Sequence, residues 1–286
     1  LNRFAITSVM DAGGGFQNFP DDYGISNKLC ELNELSVRLP YYLFAQNAGS
    51  EFEDFSKWIN TVEIGHSCDD DHSSDYYVQG GGENLVMSAA DFENFDQPRP
   101  DLSPKMEGDL KKVLTLLIKN KWPFRIHATY DESISRFLNV LEEINSVSPL
   151  DNLIWFFDHA ETVSEKNLLR IKNLGGGIAI QYRMAFQGES FIKRYGISAA
   201  QNTPPVKRIL ELGIPCGMGS DGTRVSSYNP FIGLYWLVTG RTIGHTKHMS
   251  NENLLDRITA LRLYTQGSAK LIRMESDRGQ IKAGFL

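Results

Sequence analysis

No apolar run in this 286-residue chain approaches the roughly 20 residues that a membrane-spanning helix needs; the longest, such as Phe231 to Val238, stop far short. Nor is there a Lys/Arg-rich stretch, and the formal net charge is −6, which excludes the basic face that nucleic-acid binding requires. Cysteine is scarce. Cys30, Cys68 and Cys216 lie far apart and form no CxxC pair, so they read as reduced thiols of a cytoplasmic protein rather than a disulfide framework. Linkers, low-complexity tracts and short internal repeats are also missing. With 41% hydrophobic and 22% charged residues the chain is an ordinary globular one, long enough for a single domain over residues 1–286. These absences leave a small-molecule substrate as the expected partner, without nucleic acid or membrane, and with room for a homo-oligomer.

What is present is an alternation of β-rich runs and amphipathic helical patterns. Strands are expected at Ala5–Asp11, Ser36–Phe44, Tyr76–Glu83, Phe124–Ala128, Leu153–His159, Gly177–Gln181 and Pro215–Ser220. Ser103-Pro104 is a helix start, followed by an apolar face of Leu110, Val113, Leu114, Leu117 and Ile118. Ile134, Phe137, Leu138 and Leu141 repeat that pattern, and Thr203-Pro204 opens a helix carrying Val206, Ile209 and Leu210 that Gly213 can end. Regular βα alternation implies a parallel sheet covered by helices. Seven strands at this spacing predict a (β/α)8 TIM-type barrel short of its first strand.

In such a barrel the chemistry sits at the C-terminal ends of the strands. Three expected strands end in a metal-ligand residue type. In Phe124-Arg125-Ile126-His127, alternation puts Arg125 and His127 on the inner face and leaves Phe124 and Ile126 to the helices. The same counting groups Trp155, Phe157 and His159. The third strand ends in Asp221, above Gly217 and Gly219, which leave room beside the carboxylate. Two imidazoles and a carboxylate converging from separate strands suit a divalent metal, zinc before others. The stretch His66-Ser67-Cys68-Asp69-Asp70-Asp71-His72 is also rich in ligand types. It lacks CxxC or HExxH geometry and reads as a solvated acidic tip. Phe231, Leu234, Tyr235 and Val238 read as one packed helix face.

The segment from Pro123 to Ser227 resembles the amidohydrolase superfamily, in particular the amidohydrolase-3 group with its N-substituted formamide deformylase-like enzymes. The resemblance is carried by Trp122-Pro123-Phe124-Arg125-Ile126-His127-Ala128-Thr129-Tyr130-Asp131-Glu132, Asp158-His159-Ala160-Glu161, Gln181-Tyr182-Arg183-Met184-Ala185-Phe186-Gln187-Gly188 and Ser220-Asp221-Gly222-Thr223-Arg224. It implies that His127 and His159 bind a metal, one or two ions in the intact protein. Asp221 would touch the metal and carry the proton. The family's bridging ligand on strand four is often a carbamylated lysine. Here Gln79-Gly80-Gly81-Gly82-Glu83 stands at that place, so Glu83 would bridge as a carboxylate. The family's His-x-His of strand one does not occur, and the chain opens at what resembles strand two. Strand one and the accessory β-sandwich are therefore expected to be missing, and metal binding and hydrolysis by this chain are expected to be weak.

The chemistry so implied is hydrolysis of an amide-like C–N bond by a metal-activated water, with Asp221 as proton shuttle. Arg183 and Arg224 follow the last two strands, where they could anchor an anionic substrate group. Arg125, a layer below His127, would orient a carboxylate. The alternative is a non-catalytic barrel of the same fold with a regulatory or interaction role, which the missing His-x-His favours. A Schiff-base aldolase or phosphate-binding barrel would need a strand-end lysine or a glycine-rich phosphate loop, and neither is present.

Overall fold

The computed structural model describes residues 1–13, 17–65, 76–222 and 224–286. The acidic His66–His72 stretch and Thr223 lie outside the described residues. The strands are β1 (Tyr41–Leu43), β2 (Val78–Gly81), β3 (Phe124–Ala128), β4 (Trp155–His159), β5 (Gly177–Gln181) and β6 (Cys216–Gly219). Their order in the sheet is their order in the chain, and each pairing with an assigned register is parallel. The fold class is thus α/β, wound in one direction as in a (β/α) barrel. A doubly wound sheet would reverse its strand order midway.

The helices are α1 (Gly24–Glu31), α2 (Glu51–Thr61), α3 (Met106–Lys119), α4 (Asp131–Asn145), α5 (Glu165–Asn173), α6 (Met184–Tyr195), α7 (Ile197–Ala200), α8 (Val206–Glu211), α9 (Pro230–Thr239), α10 (Arg257–Arg262) and α11 (Ser268–Leu271). The described residues form two compact units. One contains Leu1–Ala90, Leu102–His127 and Val140–Trp155; the other contains Asp91–Asp101, Ala128–Asn139 and Phe156–Leu286.

In the first unit the expected strand Ala5–Asp11 shrinks to two isolated parallel bridges, Ser8 to Arg38 and Asp11 to Tyr41. Proline explains the break. Arg38 N–H donates to Thr7 at 2.9 Å, Val9 N–H to Arg38 at 2.9 Å, Asp11 N–H to Pro40 at 3.0 Å and Tyr42 N–H to Asp11 at 3.0 Å. The rung between Arg38 and Tyr42 would need an N–H from Pro40, which has none. Helix α3 buries Leu110, Val113, Leu114, Leu117 and Ile118 as its periodicity requires, but begins at Met106, two residues beyond Pro104. The same unit holds an aromatic cluster in which Tyr41 stacks on Tyr23 at 4.9 Å and on Tyr76 at 4.6 Å.

In the second unit the outer edge of β6 is covered by the chain itself. The Met218 N–H donates to the Ser268 hydroxyl, which in turn donates to the Met218 carbonyl, both at 3.1 Å. A Cβ on Gly267 would fall 2.3 Å from the Cys216 carbonyl oxygen, so only glycine lets the Leu263–Gly267 turn approach that closely. Covering an edge in this way removes a template for pairing with another chain. It also corrects one expectation. The space over Gly217 is taken by Leu271 and Ser268, whereas the space over Gly219 is open.

Helix α9 corrects another. It buries Gly233, Trp236 and Leu237, and leaves Phe231 at 60% and Tyr235 at 41% exposure. The cause is a polar anchor that apolar periodicity does not reveal. Trp236 Nε1 donates to His248 Nε2 at 2.7 Å, and His248 Nδ1 lies 3.3 Å from the Ala200 carbonyl. Since Nε2 accepts, His248 is the neutral tautomer with its proton on Nδ1.

Burial pushes the His248 pKa below its ordinary value, against the Ala200 hydrogen bond and the Glu189 carboxylate, while Lys247 pushes the same way as burial. Below the ordinary histidine pKa, roughly 6.5, the unfolded chain takes up a proton that the native site resists, so stability falls with pH there. The urea midpoint should drop between about pH 7.5 and pH 5.5, and the drop should shrink in His248→Phe; an equal drop in both proteins would show that His248 does not set it.

Candidate metal centre and its acidic surroundings

Strands β2 and β3 bring Glu83 and His127 together. The His127 N–H donates to the Glu83 carbonyl at 2.9 Å, which brings Glu83 level with the end of β3. The Glu83 N–H is fixed in turn to the Ala12 carbonyl at 2.7 Å. Their side chains follow, with His127 Nδ1 3.4 Å from Glu83 Oε2 and the imidazole only 4% exposed. The glycine run before Glu83 has a steric reason. Gly82 has φ 128°, and a Cβ there would sit 2.2 Å from the Arg125 carbonyl oxygen. Arg125 is buried with its guanidinium 5.2 Å from the Tyr42 ring centre. Beside it, burial raises the Asp11 carboxyl above the usual range, opposed by the Gly13 N–H at 3.0 Å and by the Arg125 charge.

His159 ends β4 by a different route from the expected one. Trp155 stacks on Phe124 at 6.0 Å, and Phe157 lies 6.3 Å from Phe137 of helix α4. These aromatic rings therefore pack with the helix-facing residues, not in the barrel mouth, because their bulk is best buried between layers. Plain alternation would send His159 the same way. Its backbone turns left-handed, φ 74°, followed by Ala160 at 52°, so the alternation breaks at the last residue of the strand. A non-glycine residue in that region costs roughly 1–2 kcal/mol, and such positions cluster at functional sites. Both histidines are buried. Atoms bound to one zinc at about 2.0–2.1 Å are at most roughly 4.2 Å apart, and the 3.4 Å between His127 Nδ1 and Glu83 Oε2 lies within that reach. Two imidazoles and a carboxylate fit a borderline divalent cation.

Asp221, beyond the end of β6, is left-handed as well, φ 49°, and 35% exposed. Its Oδ2 accepts from Arg183 Nη2 at 3.3 Å. Arg183 is only 1% exposed and also contacts Glu93 and, at 3.9 Å, Glu161. Arg224 is different: it is exposed, with its guanidinium 5.9 Å from the Phe92 ring centre. It lines a cavity of about 310 Å³ together with Glu93, Asp96, Gln187 and Ser190. Nearby, the Tyr182 hydroxyl donates to the Ser227 carbonyl at 2.5 Å, and the Ser226 hydroxyl is bonded to the Ser220 carbonyl.

Several of these groups carry little signal in the sequence. Asp91 is fully buried, and its Oδ2 accepts the Thr129 and Tyr130 N–H groups at 2.9 and 3.1 Å, holding the turn that follows β3. Glu93 comes two residues later, in a loop with no periodicity to mark it. Glu161 and Gln181 stand out only as parts of motifs, next to a candidate ligand and at a strand end. Asp11 has a usable clue, since it ends an expected strand.

A sequence profile of the amidohydrolase family matches residues 1–286. YtcJ of Bacillus subtilis (strain 168), a protein named as a putative amidohydrolase, is 28% identical over 167 residues, covering 56% of this chain and 30% of YtcJ. An uncharacterized metal-dependent hydrolase from Pyrococcus horikoshii OT3 superposes with a TM-score of 0.70 at 18% identity, over 100% of this chain and 55% of that one. A point mutant of the atrazine chlorohydrolase TrzN from Arthrobacter aurescens TC1, solved with zinc and atraton, gives a TM-score of 0.62 at 13% identity. That match covers 99% of this chain and 59% of TrzN. The chain thus spans little more than half the length of these solved structures and about a third of YtcJ.

Gly82→Ala should destabilise the first unit by about 1–3 kcal/mol, as expected for a side chain forced into a backbone conformation it does not tolerate. Urea denaturation measures this; an unchanged midpoint would show that the Gly82–Arg125 approach is not required.

Proposed function

We propose that this chain, which belongs to the amidohydrolase family, holds a divalent metal ion, zinc before others, on Glu83, His127 and His159. We further propose that it hydrolyses an amide-like C–N bond of a small molecule. The observation that carries the reading is the 3.4 Å approach of the buried His127 Nδ1 to Glu83 Oε2; His159 joins the set through the resemblance. The family match and the metal-dependent hydrolases among its structural neighbours support it.

Bound there, such an ion would lower the pKa of a water towards neutrality and polarise the substrate carbonyl. The remaining roles fall to the chain. Asp221 has the exposure to reach the reacting water; as a carboxylate it would take that water's proton and return it to the leaving nitrogen. The resemblance also gives Asp221 a contact with the metal. Arg224 is the proposed anchor for an anionic substrate group, because it is exposed at a cavity rim while Arg183 is buried among carboxylates. Arg125 would steady the carboxylates at the ends of the first-unit strands, Asp11 among them. The three cysteines, far apart and without a CxxC pair, support a cytoplasmic location.

Zinc should raise the melting temperature, because a ligand that prefers the native state stabilises it. His127→Ala and His159→Ala should each abolish that rise; a rise that survives both would remove the ion from this site. Against a panel of chromogenic anilides, Asp221→Asn should lower turnover by roughly 10²–10⁴-fold. Turnover at the native rate would strip Asp221 of its role.

A further inference from the structure

Arg183 is set by its surroundings before it meets Asp221. It follows β5 directly, and its backbone N–H donates to Gln181 Oε1 at 2.6 Å. The Gln181 amide donates in turn to Glu161 Oε1 at 3.3 Å, so the end of that strand is locked to a fully buried glutamate. The guanidinium then divides its edges. Nη1 contacts Glu93 and lies 3.9 Å from Glu161, while Nη2 reaches Asp221 Oδ2 at 3.3 Å. A guanidinium is a planar fork with fixed donor directions, so holding one side dictates where the other points. Asp221 is the more exposed partner at 35%, and it sits on a left-handed backbone beyond the strand, where little else orients a carboxylate.

We infer that Arg183 is the positioning residue for Asp221: buried Glu93, Glu161 and Gln181 aim the fork, and the fork holds the carboxylate. The inference rests on the reading of Asp221 as proton carrier. It also explains the buried charge. One arginine among three carboxylates is costly to assemble unless its hydrogen bonds are used, and here both ends of the fork meet carboxylates. Glu93 forms part of the wall of the 310 Å³ cavity that Arg224 also lines, so the network runs from that cavity to Asp221.

Crystal structures of the native chain, Arg183→Met and Arg183→Lys supply the first readout, the position of the Asp221 carboxylate. It should move by more than about 1 Å in Arg183→Met, a misplacement large enough to cost activity. The second readout is turnover of p-nitroformanilide by the zinc-loaded chain. Arg183→Met should lower kcat about 10–100-fold with KM within about two-fold of native, and Arg183→Lys should recover part of the loss. Arg183→Met combined with Asp221→Asn should be no slower than Asp221→Asn alone, since residues that act as a unit are not additive. An unmoved Asp221 in Arg183→Met, or losses that multiply in the double variant, would overturn the inference. Asp221→Asn at the native rate would instead remove the role of Asp221, a failure distinguishable from the first because the crystallographic position is independent of turnover. Where turnover is too slow to measure, that position decides. Should Arg183→Met not fold, Glu93→Gln loosens the far side of the fork while keeping its shape, and must show the same displacement.

Discussion

The hydrogen bond from the His127 N–H to the Glu83 carbonyl is the constraint on which the proposed metal centre depends. It makes the chain beyond β2 end level with β3, so that a carboxylate and an imidazole face each other without any long side chain reaching across. Around it the structure gives up side chains. Gly80 and Gly82 lie so close to Pro123 and Arg125 that any Cβ would strike their carbonyl oxygens. Glycine costs conformational entropy, but it lets the two backbones approach until the Glu83 and His127 side chains meet. The glycine run in Gln79-Gly80-Gly81-Gly82-Glu83 is thus a packing requirement that sets the Glu83 carboxylate beside His127.

Elsewhere the proposed site residues are set by bending the backbone. His159 and Asp221 both occupy left-handed conformations just where their strands stop. A strand in regular alternation can offer its last residue to only two directions, and β4 has already committed its aromatic residues to packing. Leaving the strand geometry at the final residue frees the imidazole from that commitment. Near Asp221 the chain is tied by the Ser226 hydroxyl bond to the Ser220 carbonyl and by the Tyr182 hydroxyl bond to the Ser227 carbonyl.

Much of this is legible in the sequence, and the limits have physical causes. The βα alternation and the apolar faces of α3 and α4 follow from periodicity, which burial enforces, and the structure keeps them nearly unchanged. His127 and Asp221 stand out because strand ends in a parallel α/β sheet face solvent and ligand. His159 is marked out by its place at a strand end, but alternation along β4 fails there, at a left-handed residue that no local pattern announces. The first expected strand dissolves into bridges because one proline, Pro40, withholds one N–H. Helix α9 turns its other face inward, because its apolar residues run all round it and a buried Trp236–His248 hydrogen bond settles the choice. Asp91 and Glu93 are invisible in the sequence, being carboxylates in a loop whose partners arrive from distant segments.

Glu83, His127 and His159 are proposed to share one metal ion. Anomalous diffraction at the zinc edge from zinc-soaked crystals tests it most directly. One strong peak is expected about 2.0–2.1 Å from a nitrogen of each histidine and within about 2.2 Å of a Glu83 oxygen. A peak elsewhere, with these three side chains unliganded, would contradict it.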